Sequence, residues 1–271
     1  FRMEGQKKGT LIIIGGAEDK KRDCTILTKV AELSGGREGK LIILTAATEY
    51  PSKVGKEYKN LFQRLHVPNI DAMHIETRED ADDPEKLQRM ESASCVFFTG
   101  GDQLKITSLI GGTKTDRLLK EVFSDGLVVA GTSAGASAMS ETMITSGDDD
   151  EAPKRCTVKM APGLGLLSGV VIDQHFAQRG RIGRLLAAVA QNPYVLGIGI
   201  DEDTAVVVKP DETFEVIGSN AVTILDGIHL SYTNVSESNP DDILALTDIT
   251  LHVLPQGYEF DIRNRVPILR R

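Results

Sequence analysis

The sequence predicts an α/β protein built on a mainly parallel sheet, and three observations carry that prediction. Short runs such as Leu11-Ile12-Ile13-Ile14, Leu41-Ile42-Ile43-Leu44 and Val96-Phe97-Phe98 are apolar at every position, as strands buried on both faces must be. Between them lie segments whose apolar residues recur three and four apart, the spacing of amphipathic helices. Each apolar run also ends in a polar or glycine-rich loop. In a parallel sheet those loops gather at one edge, the edge where open α/β sheets bind ligands.

In chain order, residues 10–14 form the first predicted strand and end at Gly15-Gly16. Residues 23–33 carry Ile26, Leu27, Val30, Ala31 and Leu33 at helical spacing, and residues 40–44 repeat the first strand's character. A helix over residues 54–65 and a short strand at Met73-His74-Ile75 follow. Residues 84–92 read as helix and residues 93–98 as a strand that stops at Thr99-Gly100-Gly101-Asp102-Gln103. Helices over residues 103–110 and 116–124 lead to the strand 127–130, which runs into Gly131-Thr132-Ser133-Ala134-Gly135. Further on, residues 169–173 form a strand leading into Gln174-His175-Phe176. Residues 181–191 are helical, with Ile182, Leu185, Leu186 and Val189 on one face, and residues 194–200 extend into Asp201-Glu202-Asp203. Residues 204–208 and 213–217 flank Pro210-Asp211-Glu212 as an antiparallel hairpin. Residues 222–225 and 249–254 extend this β-rich C-terminal tail around a polar loop, 231–242. No linker divides the chain, so residues 1–271 are expected to form a single domain, with residues 1–8 a cloning remnant or disordered start.

Composition narrows the function. The net charge of −8 opposes general binding to nucleic acid or to an anionic membrane, and no apolar run reaches the length of a membrane span. The three cysteines, Cys24, Cys95 and Cys156, lie far apart. They show neither metal-site nor redox spacing, which favours free thiols in a reducing cytoplasm. Gly15-Gly16-Ala17-Glu18-Asp19 lacks the third glycine and the G-x-G spacing of a dinucleotide site. No metal or cofactor is expected.

The strand-to-turn segment at residues 127–135 has the G-x-S-x-G arrangement of a nucleophile elbow, in which glycines make room for a strained turn that projects a serine. A tightly packed Gly/Ala/Ser turn would look the same, so the reading depends on partners for Ser133. Of the five histidines, His175 alone directly follows a predicted buried strand, as Ser133 does, and so shares the same edge as a candidate base. Glu202, after the strand 194–200, is the preferred acid to orient the imidazole. Glu151, in the acidic loop between nucleophile and base, is its rival.

Arg179, Arg181 and Arg184 crowd the start of a helix in an otherwise acidic chain. Cations there oppose the helix dipole and call for compensation. Since guanidinium groups bind carboxylates at two points, the physical reading is an acidic substrate beside Ser133.

With these residues assembled, the chain resembles the cyanophycinase branch of the peptidase E group of serine peptidases. The segments that carry the resemblance are Ile13 to Lys20, Phe98 to Leu104, Ala130 to Ala136, Val171 to Arg184 with its Asp-Gln-His-Phe core, and Gly199 to Thr204. The resemblance implies a three-layer sandwich related to the class I glutamine amidotransferase domain, and a homodimer. It implies hydrolysis of cyanophycin, a polyaspartate carrying an arginine on each β-carboxyl, to β-Asp-Arg dipeptides. By that analogy Ser133 is the nucleophile, His175 the base, and Glu202 or Glu151 the acid. The N–H groups of Ala134 and Gly101 would form the oxyanion hole. Gln103, Asp173, Gln174, Arg179, Arg181 and Arg184 would hold substrate, with Asp173 facing its guanidinium. Three rival readings are an α/β-hydrolase esterase, a peptidase E-like dipeptidase acting on Asp-X, and a non-catalytic module that binds carboxylate polymers. The esterase is disfavoured because His175 lies in mid-chain and no His-Gly-Gly oxyanion motif is present.

Overall fold

The computed structural model describes residues 8–36 and 38–269; residues 1–7, most of the segment read as a disordered start, lie outside them. Five parallel strands form the centre: Leu11–Ile14 (β1), Lys40–Leu44 (β2), Asn69–Met73 (β3), Cys95–Phe98 (β4) and Val128–Thr132 (β5), in the spatial order β1-β5-β4-β2-β3. The helices between and after them are Thr25–Leu33 (α1), Pro51–Arg64 (α2), Pro84–Glu91 (α3), Gln103–Ile110 (α4), Lys114–Ser124 (α5) and Ala134–Ser137 (α6). A hairpin of Thr142–Gly147 (β6) and Val158–Pro162 (β7) precedes Val170–Gln174 (β8), the helix Ile182–Gln191 (α7) and Leu196–Ile200 (β9). Then come Thr204–Val208 (β10), Thr213–Gly218 (β11), Ala221–Asp226 (β12), Tyr232–Thr233 (β13), Leu246–Thr247 (β14), Thr250–Pro255 (β15), Glu259–Asp261 (β16) and Val266–Ile268 (β17).

Alternation along the strands builds two cores. On one face Ile12, Ile14, Leu41, Ile43, Cys95 and Phe97 pack with Ile26, Leu27 and Val30 of α1 and Tyr58, Leu61 and Phe62 of α2. On the other, Leu11, Ile13, Ile42, Leu44, Val96 and Phe98 pack with residues of α4, α5 and α6 and with Ile172, Ile198 and Ile224 of a second sheet. Phe62 and Phe97 are fully buried with ring centroids 5.5 Å apart; burying each side chain stabilises the fold by roughly 1.5–3 kcal/mol.

Antiparallel β10 and β11 and the short β16 and β17 extend the main sheet beyond β1 to nine strands. In contrast to the sequence reading, β8 and β9 do not join the central parallel sheet. They pair with each other in a separate four-stranded sheet, β15-β12-β9-β8, whose outer face is covered by α7. A wholly apolar strand shows only that both its faces are covered, and either sheet provides that. The third strand also differs. It spans Asn69–Met73 instead of residues 73–75, and it is an edge strand paired with β2 alone. Its half-exposed Asp71 is neutralised by Arg89, whose Nε lies 2.6 Å from Oδ2, which makes a polar sequence acceptable there. The hairpin β6–β7 had no counterpart in the sequence reading.

Although β5, β8 and β9 belong to two sheets, their C-terminal ends meet. Stacking the second sheet against α6 brings this about, and the end of β1 with the loop after it fixes it. Ser133 N–H donates to Ile14 O at 3.0 Å, His175 N–H to Gly15 O at 2.8 Å, and Asp203 N–H to Gly16 O at 2.9 Å. Gly16 must be glycine: its φ is +98°, and an added Cβ would stand 2.4 Å from Nε2 of His175.

Candidate active site

Ser133 occupies the turn between β5 and α6 with φ 54° and ψ −111°, a conformation that costs a non-glycine residue about 1–3 kcal/mol. The flanking glycines are enforced by contact. A Cβ at Gly131 would meet the backbone carbon of Gly135 at 2.7 Å, and one at Gly135 would meet Phe98 O at 2.6 Å. His175 is also left-handed, with φ 48°. Two strained residues therefore face each other at the strand ends.

The Ser133 hydroxyl lies 3.1 Å from Nε2 of His175 and 3.3 Å from Oε1 of Gln174. Nδ1 of His175 lies 2.6 Å from Oε1 of Glu202. The His175 side chain is 12% exposed and that of Glu202 35% exposed, so the chain of contacts runs from a partly covered imidazole out to solvent. Glu202 is held at its backbone: its N–H donates to Oε1 of Gln178 at 2.9 Å, and its C=O accepts from Nδ2 of Asn220 at 2.9 Å. Its neighbours turn away, Asp201 accepting from Ala177 N–H and Asp203 from Asp19 N–H. Glu151 stands elsewhere; its exposed carboxylate pairs with Nζ of Lys154 at 3.0 Å.

Gly100 packs against the serine, since a Cβ there would lie 3.5 Å from Cβ of Ser133. Gly101 follows with φ +143°, and any side chain on it would collide with Ala47 O at 2.2 Å. Ala134 opens α6, where the first N–H groups of a helix have no intrahelical acceptor.

The predicted substrate residues divide. Asp173, Arg181 and Arg184 are buried together, their side chains 1%, 6% and 4% exposed. Arg184 grips Asp173 through Nε to Oδ2 at 2.7 Å and a second bond from Nη2 to Oδ1. Arg181 donates from Nη1 to Gln174 O at 2.6 Å and from Nε to Oδ1 of Asp149 at 2.7 Å. Burial pushes the Arg181 guanidinium below its ordinary value, and its bond to Asp149 opposes that shift. The carboxylates that answer these two arginines within the chain are Asp173 and Asp149. Within the chain, these pairs compensate the cations at the helix start. The acidic loop supplies Asp149, and β8 supplies Asp173. Gln103 is likewise engaged, donating from Nε2 to Ile144 O at 2.8 Å and to Thr145 O at 3.1 Å. Gln174 faces Ser133, and Arg179 is exposed with no ion-pair partner among the described residues.

Asp149 and Gln178 escaped the sequence reading. Asp149 looked like one solvated acid in a run of them, and nothing local marks it as the partner of an arginine on another element. Among the described residues no group of three or more His, Cys, Asp or Glu side chains is arranged to hold a metal ion, and no helix is long and apolar enough to cross a membrane.

Residues 11–217 match Peptidase family S51. The chain is 36% identical over 267 residues to cyanophycinase of Geminocystis herdmanii (strain PCC 6308), covering 98% of each. It is 37% identical over 257 residues to cyanophycinase of Synechococcus elongatus, covering 94% of this chain and 80% of the relative. A crystal structure of a peptidase from an acI-B1 Actinobacterium superposes with a TM-score of 0.69 at 23% identity, covering 95% of this chain and 98% of the other. That likeness shows a shared α/β fold.

Proposed function

The chain belongs to Peptidase family S51, and from that premise we propose that it is a serine-type peptidase that hydrolyses the polyaspartate backbone of cyanophycin, releasing β-Asp-Arg dipeptides as an exopeptidase. The observation that carries the reading is the run of contacts Ser133–His175–Glu202, at 3.1 Å and 2.6 Å, on a strained strand-to-helix turn. The cyanophycinase relatives, similar over nearly the whole chain, support the substrate.

In the proposed reaction, Oγ of Ser133 attacks an aspartyl backbone carbonyl while Nε2 of His175 takes the hydroxyl proton. Glu202 accepts the Nδ1–H bond, which fixes the tautomer and stabilises the imidazolium. The oxyanion meets the N–H groups of Ala134 and Gly101, each worth about 3 kcal/mol in the transition state. His175 then gives its proton to the departing amine, leaving an ester on Ser133. Water, deprotonated by the same imidazole, attacks the ester and restores the hydroxyl. Arg179 is the guanidinium we assign to a substrate carboxylate, and the Asp173–Arg184–Arg181–Asp149 network holds β8 and α7 behind the base.

We also assign the chain to a single domain of the class I glutamine amidotransferase-like type, acting as a homodimer in the cytoplasm. Exposed Leu251 and Val253 on the edge strand β15, 50% and 55% accessible, offer apolar surface for a second copy. The deciding experiment is incubation with insoluble cyanophycin and mass spectrometry of the soluble products. β-Asp-Arg dipeptides are expected. Intact polymer alongside cleavage of free Asp-X dipeptides would favour the peptidase E-like alternative.

A further inference from the structure

Beneath the elbow lies a buried carboxylate that the reaction scheme does not use. Glu18 belongs to the loop after β1, and its side chain is 1% exposed. Its Oε2 accepts the hydroxyl of Thr132 at 2.6 Å, and its Oε1 accepts the phenol of Tyr58, on α2, at 2.5 Å. Nζ of Lys20 stands 3.5 Å from Oε1 and 4.4 Å from the centroid of the Tyr58 ring. Thr132 is the last residue of β5, directly before Ser133.

A carboxylate withdrawn from water is costly unless its oxygens are hydrogen-bonded, and here both are. The O–H···O lengths fall in the range of charge-assisted bonds, which are roughly twice as strong as neutral ones. A left-handed non-glycine residue such as Ser133 persists only where its surroundings over-determine it. The backbone bond from Ser133 N–H to Ile14 O is one restraint. The bond from Thr132 to Glu18, in the loop that follows β1, is a second.

We propose that Glu18 is a positioning residue for Ser133, acting through the Thr132 hydroxyl, with Tyr58 and Lys20 closing its other oxygen. The inference rests on the reading of Ser133 as nucleophile. Burial, and next the charge of Glu18, push the Tyr58 phenol up, which keeps it a donor.

The test is Thr132→Val, which removes the donor with little change in shape. Active sites are counted by labelling Ser133 with a fluorophosphonate, so that loss of folded protein drops out of the rate. Turnover of cyanophycin per labelled site is expected to fall about 10- to 100-fold, the scale of a sub-ångström to ångström misplacement of a reacting group. The labelling rate should fall in parallel, and KM should stay within about twofold, because Thr132 is not assigned to substrate binding. Thr132→Ser, which keeps the hydroxyl, should return turnover to within about threefold of the parent. Unchanged turnover per site and unchanged labelling rate in Thr132→Val would overturn the proposal. If that variant does not fold, Tyr58→Phe removes the donor on the far oxygen; a smaller fall in labelling rate is expected, and none would overturn it. A parent protein that resists the reagent would overturn the assignment of Ser133 itself, a result distinct from any difference between variants.

Discussion

The Arg184 guanidinium closes on the Asp173 carboxylate by two bonds, one of them 2.7 Å from Nε to Oδ2, with both side chains at or below 4% exposure. Removing the arginine leaves this buried carboxylate, two residues from His175, with only the 3.6 Å pair to Nη1 of Arg181 and the N–H of Gln174. Arg184→Ala is therefore expected to cost about 3–5 kcal/mol in stability, the usual consequence of breaking a buried pair by one partner. Equilibrium urea unfolding measures it. A loss of activity with unchanged unfolding free energy would return Arg184 to direct substrate binding.

Glu202 and Glu151 are separated by where they sit. Glu202 lies 2.6 Å from Nδ1 of His175, whereas Glu151 pairs with Lys154 at the surface. Glu202→Gln should lower kcat by about 10³–10⁴-fold, as loss of the imidazole's orienting acid does in serine peptidases. Glu151→Gln should leave kcat within about twofold, since exposed pairs contribute little. Steady-state kinetics on the polymer compares them, and equal mild losses would mean that neither acid orients the base.

The strand-end logic that singled out Ser133, His175 and Glu202 was legible because it needs only local signals: an apolar run, then a polar residue. The glycines of the elbow were legible because a crowded turn excludes side chains. The partners of the arginines within the chain were not legible. Arg181 and Asp149 are 32 residues apart, and a cation in a sequence looks the same whether its anion is a substrate or a loop. Sheet membership failed for the same reason. The apolar residues of β8 and β9 record burial, and burial does not name the partner strand. Asn69–Met73 was shifted because Asp71 breaks the apolar pattern, and its compensation by Arg89 comes from a different element.

Low pH should weaken the fold through Asp80, in the segment before α3. Its carboxyl is lowered from 3.8 to about 2, chiefly by the hydrogen bond from Lys86, with burial opposing and the N–H groups of Glu76 and Thr77 assisting. A folded value below the unfolded one means stability that is complete above about pH 4 and lost as pH falls towards about 2. After allowance for solvent screening at a 30% exposed side chain, the effect is about 1 kcal/mol or less. Asp80→Asn should lower the Tm at pH 7, and the difference from the parent should shrink towards zero near pH 2. A Tm difference that is constant with pH would show that the carboxylate's charge is not what stabilises this segment.

Arg179 and Arg181 should behave oppositely, although the sequence places them two residues apart. Arg179 is exposed, and its backbone N–H donates to His175 O at 3.2 Å, which ties its backbone to that of the base. A guanidinium that holds a substrate carboxylate equally in ground and transition states acts on KM alone. Arg179→Ala should therefore raise KM for cyanophycin about tenfold or more, with kcat nearly intact, the loss of one charge-assisted pair being worth roughly 1.5–3 kcal/mol. Arg181 instead binds Gln174 O and Asp149 from a buried position. Its removal disturbs the strand end that carries His175, so Arg181→Ala should lower kcat and stability together. KM rising in Arg181→Ala with kcat and unfolding free energy untouched would reverse the two assignments and restore Arg181 as the contact to substrate.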